Sequence, residues 1–311
     1  MSEFSKEAID AITSNLDDIR RRLSLNIEGD SLESVDGEIL VPLKELEEIR
    51  IAGGTNILLY GVPGSGKSWT IEHEYCHQDS VVERLVFHPD YTNADFIGQI
   101  LPVVDTDKQV TYEFTPGPFT TIIRDAYRNP MREYILIIEE VNRGNAPAIF
   151  GEVFQLLDRT LEPKKDHEVV YPAGTSEYGI TNRYMATVIY GDGGHEVRIP
   201  SNLSVIGTMN TSDQNVFTLD TAYQRRWNMR LIENTFENVR PSLANAKILD
   251  TDVTWETFCT TVNKLVVGNR AKMASAEDKR LGVYFVHESI LNLMIELSRR
   301  IMISVANTMF F

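Results

Sequence analysis

The sequence has few cysteines, no long apolar run and a deficit of positive charge. Its only cysteines, Cys76 and Cys259, lie far apart and belong to no CxxC pattern, so neither a disulfide framework nor a zinc site is indicated. A reducing cytoplasm therefore fits best. No uninterrupted apolar stretch of about 18 residues is present that could span a bilayer. The nearest stretch, 291–311, contains three charged residues and is interpreted as a buried helix. No membrane partner is expected.

Acidic residues outnumber basic ones by 45 to 30, which gives a formal net charge of −15. This balance opposes a broad basic surface for phosphate backbones, so we expect any DNA contact to be local or indirect. The 311 residues, 42% of them hydrophobic, suffice for one large domain and a smaller one.

Apolar runs alternate with helical patterns along the middle of the chain, which predicts an α/β fold: an αβα sandwich with a mainly parallel sheet. A polar, glycine-containing region at about 160–200 predicts a β-hairpin insertion, and the pattern from 233 to 311 predicts a small all-helical lid. The predicted core spans 51–232. Its strands are the runs TNILLY, RLVF, YILIIEE and LSVIGTMN, which begin at Thr55, Arg84, Tyr134 and Leu203, and APAIFGEVFQLLDR, from Ala146, predicts a helix.

The first 50 residues read as a helical N-terminal extension. One apolar stripe at helical spacing could pack on the chain's own core or dock a partner, and both interpretations stay open. Pro42 can open a second short helix. The stripe consists of Ile9, Ile12, Leu16, Ile19 and Leu23.

The sequence GVPGSGKS follows the first predicted strand and matches the P-loop pattern G-x-x-x-x-G-K-S. Its glycines let backbone N–H groups surround phosphates, and the following helix presents the positive end of its dipole. Lys67 is predicted to reach the β- and γ-phosphates, and the Ser68 hydroxyl to bind Mg²⁺. The predicted nucleotide-binding residues here are Gly61, Val62, Pro63, Gly64, Ser65, Gly66, Lys67, Ser68 and Trp69.

Two adjacent acids end the apolar run ILIIEE. Their positions predict that Glu139 holds Mg²⁺, usually through water, and that Glu140 polarises the attacking water as the general base. The usual first acid of this motif is Asp. Glu139 therefore has one methylene more than Asp, which alters the geometry of metal binding and hence affects the rate of turnover.

The segment IIEEVNRGNAPAIFGEVFQLLD resembles the corresponding segment of the McrB-like AAA+ family, including the Asn142-Arg143 step. The segment VIGTMNTSDQN resembles the family's MNTADRS signature, and VFHPDYTNADFIG and LDTAYQRRW extend the resemblance. It covers residues 55–232 in order, which is far more than a P-loop alone.

The resemblance implies further site residues. Asn210 is similar to sensor 1, which orients the lytic water, and Asp213 falls in the signature as a nucleotide-binding residue. Arg225 and Arg226 resemble arginine fingers supplied to a neighbouring subunit, although Gln224 stands where the family often has a third Arg. The segment LGVYFVHES, from 281, resembles the family's lid, where Arg280 is a candidate sensor 2.

The resemblance also implies Mg²⁺-dependent hydrolysis of ATP or GTP by a homo-oligomer, a ring of six subunits, that serves as motor for a separate McrC-like nuclease or effector. No nuclease signature is found in this chain, and the N-K-x-D motif that reads guanine in small G proteins is missing. Base preference is therefore open. Two alternatives remain: a remodelling or chaperone-like ATPase acting on protein partners, and a nucleotide-switched assembly scaffold with little turnover.

Overall fold

The computed structural model describes residues 50–104, 108–167, 169–211, 217, 219–248, 251–268, 280–287 and 289–290. All of them belong to one unit of the chain, residues 42–311. The predicted N-terminal extension up to residue 49, the predicted helix at 291–311 and Asp213 lie outside the described residues.

The strands and helices are short and alternate along the chain. The strands are β1 (Asn56–Gly61), β2 (Val81–Val86), β3 (Gly98–Val104), β4 (Val110–Pro116), β5 (Tyr134–Glu139), β6 (Lys164–Asp166), β7 (Val169–Tyr171), β8 (Leu203–Asn210) and β9 (Asn228–Leu231). The helices are α1 (Lys67–Thr70), α2 (Asn93–Ile97), α3 (Pro118–Arg128), α4 (Ala146–Phe150), α5 (Arg183–Tyr190), α6 (Thr221–Gln224), α7 (Pro241–Ala244) and α8 (Trp255–Gly268). A π-helical turn, Ile71–Tyr75, continues α1, and 3-10 turns occupy Val141–Arg143 and Gly151–Leu157.

The central sheet has the order β2-β5-β8-β1-β9, and all of its pairs are parallel. The predicted α/β fold with a mainly parallel sheet is confirmed. All four predicted apolar runs contribute strands to this sheet. The fifth strand, β9, was not predicted, because its sequence NMRL lies at the sheet edge and lacks the apolar signature of a buried strand.

The carboxyl ends of the central strands lie side by side. Gly61, at the end of β1, is in register with Asn210, at the end of β8, and Ile138 of β5 is in register with Gly207. Parallel strands bring the residues that follow them to one edge, where ligands of such sheets bind. The three central strands therefore place the P-loop, the paired acids and Asn210 together.

A layer of aromatic side chains packs the helices against the sheet. The ring of Phe96 lies 5.7 Å from that of Phe87, 4.8 Å from that of Phe119 and 4.9 Å from that of Phe150. All four are fully buried. Burial of each contributes about 1.5–3 kcal/mol relative to exposure. This layer fixes the elements from which the acidic loop emerges.

Two regions differ in detail from their sequence patterns. The helix predicted from Ala146 is split, because α4 ends at Phe150 and the chain tightens into a 3-10 turn at Gly151, whose φ is 52°. The region 160–200 contains a short hairpin, β6–β7, and in addition the helix α5, which was not predicted.

The hairpin β3–β4 was also not predicted. Its antiparallel register pairs Ile100 with Phe114, Pro102 with Tyr112 and Val104 with Val110, so these six side chains share one face of the ribbon. Exposed residues on this face include Val104, Val110 and Tyr112. β4 alternates apolar and polar residues from Val110 to Thr115, but β3 is a continuous apolar run from Ile100 to Val104, so only one of the two strands shows the period of a hairpin strand.

A second, smaller cluster belongs to the region predicted as the lid, which contains α7 and α8. No helix among the described ranges is long and apolar enough to cross a membrane. The division into a core at 51–232 and a lid at 233–311 stays a prediction. The buried members of the cluster are Val239, Leu243, Ala244, Ala246, Trp255, Cys259 and Val283.

Candidate functional site

The P-loop lies between β1 and α1. Gly66 precedes α1 with φ at 101°, a left-handed conformation in which a side chain would be strained, so glycine is required there. The Ser65 side chain is buried, and its hydroxyl has no hydrogen-bond partner among the described residues. An unpartnered buried hydroxyl in a loop of backbone N–H groups fits a phosphate oxygen as its missing partner.

Lys67 is held inside the loop and is only 8% exposed. Its ammonium donates to the carbonyl oxygens of Gly61 at 3.1 Å and Val62 at 3.0 Å, and to Oδ1 of Asn210 at 2.7 Å. These three acceptors are neutral. A phosphate group would offer the ammonium a charged acceptor, which forms a stronger hydrogen bond.

Glu140 and Asn210 form the second part of the site. Glu140 has φ at 54°, a left-handed conformation that is uncommon for a residue with a side chain and that redirects the chain at the end of β5. Nδ2 of Asn210 donates to both carboxylate oxygens of Glu140, at 2.6 and 2.8 Å. Lys67, Asn210 and Glu140 therefore form one continuous hydrogen-bonded chain from the start of α1 to the carboxyl ends of β8 and β5.

The residues after Glu140 brace this arrangement. Asn142 is buried, and its Nδ2 donates to the carbonyl oxygen of Asn210 at 2.9 Å. Nε of Arg143 lies 3.8 Å from Oε2 of Glu140. The Asn-Arg step that the sequence analysis noted only for its resemblance therefore fixes the strand end that carries Asn210 and contacts the predicted general base.

Glu139 lies on the other side of the strand end and faces Ser68. Oε1 of Glu139 is 3.5 Å from Oγ of Ser68. A hydroxyl and a carboxylate are the hard oxygen donors that Mg²⁺ prefers, and these two fit the ion. The same Oε1 accepts a hydrogen bond from Arg84 at 2.7 Å. Arg84 was not predicted as a site residue, because nothing in a strand sequence shows which neighbouring strand its side chain will reach.

Arg225 and Arg226 have different surroundings although they are adjacent. Arg226 has an 11% exposed side chain, pairs with Asp158 at 2.9 Å, and places its guanidinium 4.2 Å from the ring centre of Phe154. Arg225 is exposed. Of the two predicted arginine fingers, Arg225 is therefore the one whose position suits contact with another subunit, and Arg226 is engaged within its own chain.

Residues 281–285, here called the strap, lie directly on the P-loop. The backbone N–H of Tyr284 donates to the carbonyl oxygen of Gly64 at 2.8 Å. A Cβ on Gly66 would meet the Tyr284 ring at 3.2 Å, and a Cβ on Gly282 would collide with backbone atoms of Pro63 and Gly64. The strap therefore needs glycine at Gly282 for its close approach.

Three side chains of the lid cluster region hold the strap from behind. Asn263 accepts from the Leu281 N–H at 2.7 Å and donates to its carbonyl oxygen at 3.0 Å. Asn234 accepts from the Val283 N–H at 2.9 Å, and the Trp255 indole donates to the Val283 carbonyl at 2.8 Å. The strap thus joins the lid cluster to the P-loop.

The remaining predicted residues lie around these groups. Trp69, the third residue of α1, is exposed and stacks on His73 with ring centres 4.1 Å apart. Arg280 precedes the strap and, with Lys264, lines a cavity of about 440 Å³ beside α8. Its role as a sensor 2 stays a prediction, as does the part of Asp213.

The model of the AAA domain (dynein-related subfamily) matches residues 56–227, which include the P-loop, the paired acids, Asn210 and both arginines. A solved structure of a proposed ATPase from Cytophaga hutchinsonii aligns over 82% of this chain and 56% of that one, with 17% identity. Its TM-score of 0.33 is too low for any conclusion.

Two curated relatives are similar over most of the chain. The type II restriction enzyme BsuMI component YdiS of Bacillus subtilis is 33% identical over 76% of this chain and 74% of its own length. The type IV methyl-directed restriction enzyme EcoKMcrB subunit of Escherichia coli is 29% identical over 75% of this chain and 48% of its own length. The chain thus spans about half the length of the second relative.

Proposed function

This chain belongs to the dynein-related subfamily of AAA domains, and from that premise we propose that it hydrolyses ATP or GTP with Mg²⁺ as the ring-forming motor subunit of an McrBC-like restriction or antiphage complex. It is a P-loop nucleoside triphosphatase related to McrB-type restriction components. The observation that carries the proposal of turnover is the hydrogen-bonded chain from Lys67 through Asn210 to Glu140.

Each of these residues has a task that follows from its position. Lys67 exchanges its neutral carbonyl acceptors for phosphate oxygens and neutralises charge on them. Glu140 accepts the proton of the attacking water, and Asn210 orients that water and the carboxylate together. Ser68 and Glu139 would hold Mg²⁺, which when bound neutralises charge on the β- and γ-phosphate oxygens.

Assembly would complete the site. Positive charge beside the leaving group stabilises phosphoryl transfer, and Arg225 is exposed at the end of α6 where it could serve a neighbouring nucleotide. We therefore propose a homo-oligomeric ring of six subunits, in which Arg225 of one subunit faces the P-loop of the next. Closed rings use the same contact surface repeatedly.

Target recognition is proposed to come from outside this chain. The names of the two relatives call one a component and the other a subunit. A separate McrC-like nuclease or effector is therefore proposed to act with this chain. The net charge of −15 supports an indirect or local contact with DNA. The reducing cytoplasm is the proposed location.

The second candidate function is a nucleotide-switched scaffold with little turnover. It is favoured by one observation: Glu139, the predicted metal ligand, is already paired with Arg84. A remodelling ATPase acting on protein partners would share every nucleotide residue and would differ only in its target.

A turnover assay tests the proposal. Phosphate release is measured with ATP and with GTP, in the presence and absence of a candidate McrC-like partner, for the natural chain, Lys67→Ala and Lys247→Ala. Lys247 is a matched control because it pairs with Asp252 on the surface. We expect Lys67→Ala alone to lose nucleotide binding by on the order of 10²-fold or more. Unchanged affinity in Lys67→Ala would exclude the P-loop assignment, and binding without phosphate release in the natural chain would favour the scaffold.

A further inference from the structure

Arg84 connects the proposed metal ligand Glu139 to a second carboxylate, Glu72. From β2, at the edge of the central sheet, its guanidinium donates to Oε1 of Glu139 at 2.7 Å and to Oε1 of Glu72 at 2.9 Å. Glu72 lies on the π-helical turn that continues the P-loop helix. One cation therefore links the strand that ends in the paired acids to the helix that begins with Lys67 and Ser68.

The oxygen that Arg84 contacts is the one that faces the metal-binding hydroxyl. Oε1 of Glu139 lies 2.7 Å from Nη1 of Arg84 and 3.5 Å from Oγ of Ser68. An aspartate at this position would be one methylene shorter, or about 1.5 Å. The length of Glu139 therefore allows a single carboxylate oxygen to serve an arginine on one side and Ser68 on the other.

We propose that Arg84 is a positioning residue that acts as the resident cation of the magnesium site: it neutralises and orients Glu139 until Mg²⁺ arrives with the nucleotide. This inference rests on the proposed function, because it assumes that the site binds a nucleoside triphosphate. Arg84 does not touch the nucleotide in this scheme. It acts through Glu139.

Electrostatics predicts what the loss of Arg84 would do. Without its guanidinium, the carboxylates of Glu139 and Glu72 would face the incoming phosphates with less positive charge nearby, so metal-free nucleotide binding weakens. With Mg²⁺ present, the ion itself neutralises Glu139, so affinity is preserved. The side chains of Arg84, Glu139 and Glu72 are 36%, 24% and 53% exposed, so solvent and salt screen the effect.

The same turn supplies a matched control. Arg230 of β9 donates to Glu74 at 2.6 Å and to the hydroxyl of Tyr75 at 2.7 Å. This pair also joins a strand of the sheet to the turn Ile71–Tyr75 and is comparably exposed, but it contacts neither Glu139 nor Ser68 in any described hydrogen bond or ion pair. A purely structural role of such pairs would make the two arginines equivalent.

The experiment measures the dissociation constant of a fluorescent triphosphate analogue on the full chain, once with excess Mg²⁺ and once with chelator. The ratio of the metal-free to the Mg²⁺ value is the readout, and it requires no hydrolysis. We expect Arg84→Gln to raise this ratio about three- to tenfold, in keeping with a partly screened charge. Arg84→Lys should stay within about twofold of the natural chain, and Arg230→Gln should leave the ratio unchanged.

The variant Glu72→Gln distinguishes an electrostatic role of Arg84 from a mechanical link between strand and helix. It removes the second anchor of Arg84 but also removes a negative charge, so the ratio should not rise. A rise in Glu72→Gln equal to that in Arg84→Gln would show that the bridge is only structural and would overturn the inference. Arg84→Met, which keeps the aliphatic stem, provides the same test if Arg84→Gln does not fold in a thermal unfolding measurement.

The proposed function and the role of Arg84 are contradicted by different results. If the natural chain binds no triphosphate in the presence of Mg²⁺, the assignment of the site is wrong. If it binds but the ratio is the same in the natural chain, Arg84→Gln and Arg84→Met, only the role of Arg84 is wrong.

Discussion

The two sides of the proposed nucleotide cleft have different chemistry. The core side, at the carboxyl ends of β1, β5 and β8, carries the charged groups Lys67, Glu139 and Glu140. The strap has no charged side chain and is fixed by backbone hydrogen bonds to Gly64 and by the amides of lid residues. Because phosphoryl transfer depends on placed charge, core-side substitutions should change rates, whereas strap-side substitutions should change affinity and stability.

The largest effect is expected for a charge supplied to the core side by a neighbouring subunit. Arg225→Ala should slow hydrolysis by about 10³–10⁵-fold, the contribution of arginine fingers in related reactions. Mixing Arg225→Ala with Lys67→Ala should restore some phosphate release, since one mixed interface pairs an intact P-loop with an intact Arg225. Mixtures that stay inactive although size-exclusion shows mixed oligomers would mean that Arg225 does not act between subunits.

Arg226→Ala is the control for that experiment. Its loss removes the ion pair with Asp158 and the stacking on Phe154 within one chain. We expect a decrease of about 1–3 kcal/mol in the free energy of unfolding. A mixture of Arg226→Ala and Lys67→Ala should release phosphate no faster than Arg226→Ala alone, because each Arg226→Ala subunit keeps its own structural defect.

Within the core side, the two acids should differ. Glu140→Gln should keep nucleotide binding and slow hydrolysis by on the order of 10²-fold or more, because an amide cannot accept the proton of water. Glu139→Gln should mainly raise the Mg²⁺ concentration that is required. Single-turnover phosphate release over a Mg²⁺ series distinguishes them, and the reverse pattern would exchange the two roles.

On the strap side, Gly282→Ala should push the strap away from the P-loop, because its Cβ would collide with backbone atoms of Pro63 and Gly64. Overpacking of this kind costs about 1–3 kcal/mol, so nucleotide affinity should fall about tenfold. The rate at which bound nucleotide is hydrolysed should change less. Gly268→Ala is the matched control, since a Cβ there meets no atom of the described part of the chain within 4 Å. Equal affinities in the two variants would contradict a contact role for the strap.

The smallest catalytic effect is expected for Asn263→Ala. It leaves both backbone groups of Leu281 without this side-chain partner, which lowers the free energy of unfolding by about 1–3 kcal/mol. Thermal unfolding measures the loss, and the hydrolysis rate at saturating nucleotide should change little. A rate loss as large as that of Glu140→Gln would remove the distinction between the two sides.

The same contrast explains how much the sequence could predict. The P-loop and the paired acids were predicted from strand pattern and local motif, whereas Asn210 was identified only through the family resemblance. The strap is placed by amides of Asn234 and Asn263, far from it in the chain, and no local pattern reports such contacts. Arg84 likewise reaches Glu139 through the pairing of β2 with β5, whereas Glu139 itself was predicted as a metal ligand from its place at the end of ILIIEE.

The hairpin β3–β4 shows a different reason for a missed element. β3 carries apolar residues on both faces, so the period of two that indicates a half-buried strand is absent there, although β4 shows it. Conversely, the split of the helix after Phe150 depends on one glycine conformation, which helix propensity does not reveal.

The hydrogen bond between Lys67 and Asn210 has a thermodynamic consequence. A phosphate and Oδ1 of Asn210 compete for the same ammonium, so part of the nucleotide's binding free energy offsets the separation of this pair. This coupling is reciprocal. Bound nucleotide weakens the Lys67–Asn210 hydrogen bond by the same free energy by which that hydrogen bond weakens nucleotide binding. Asn210→Ala should therefore bind nucleotide more tightly and hydrolyse it more slowly, so that affinity and turnover move in opposite directions.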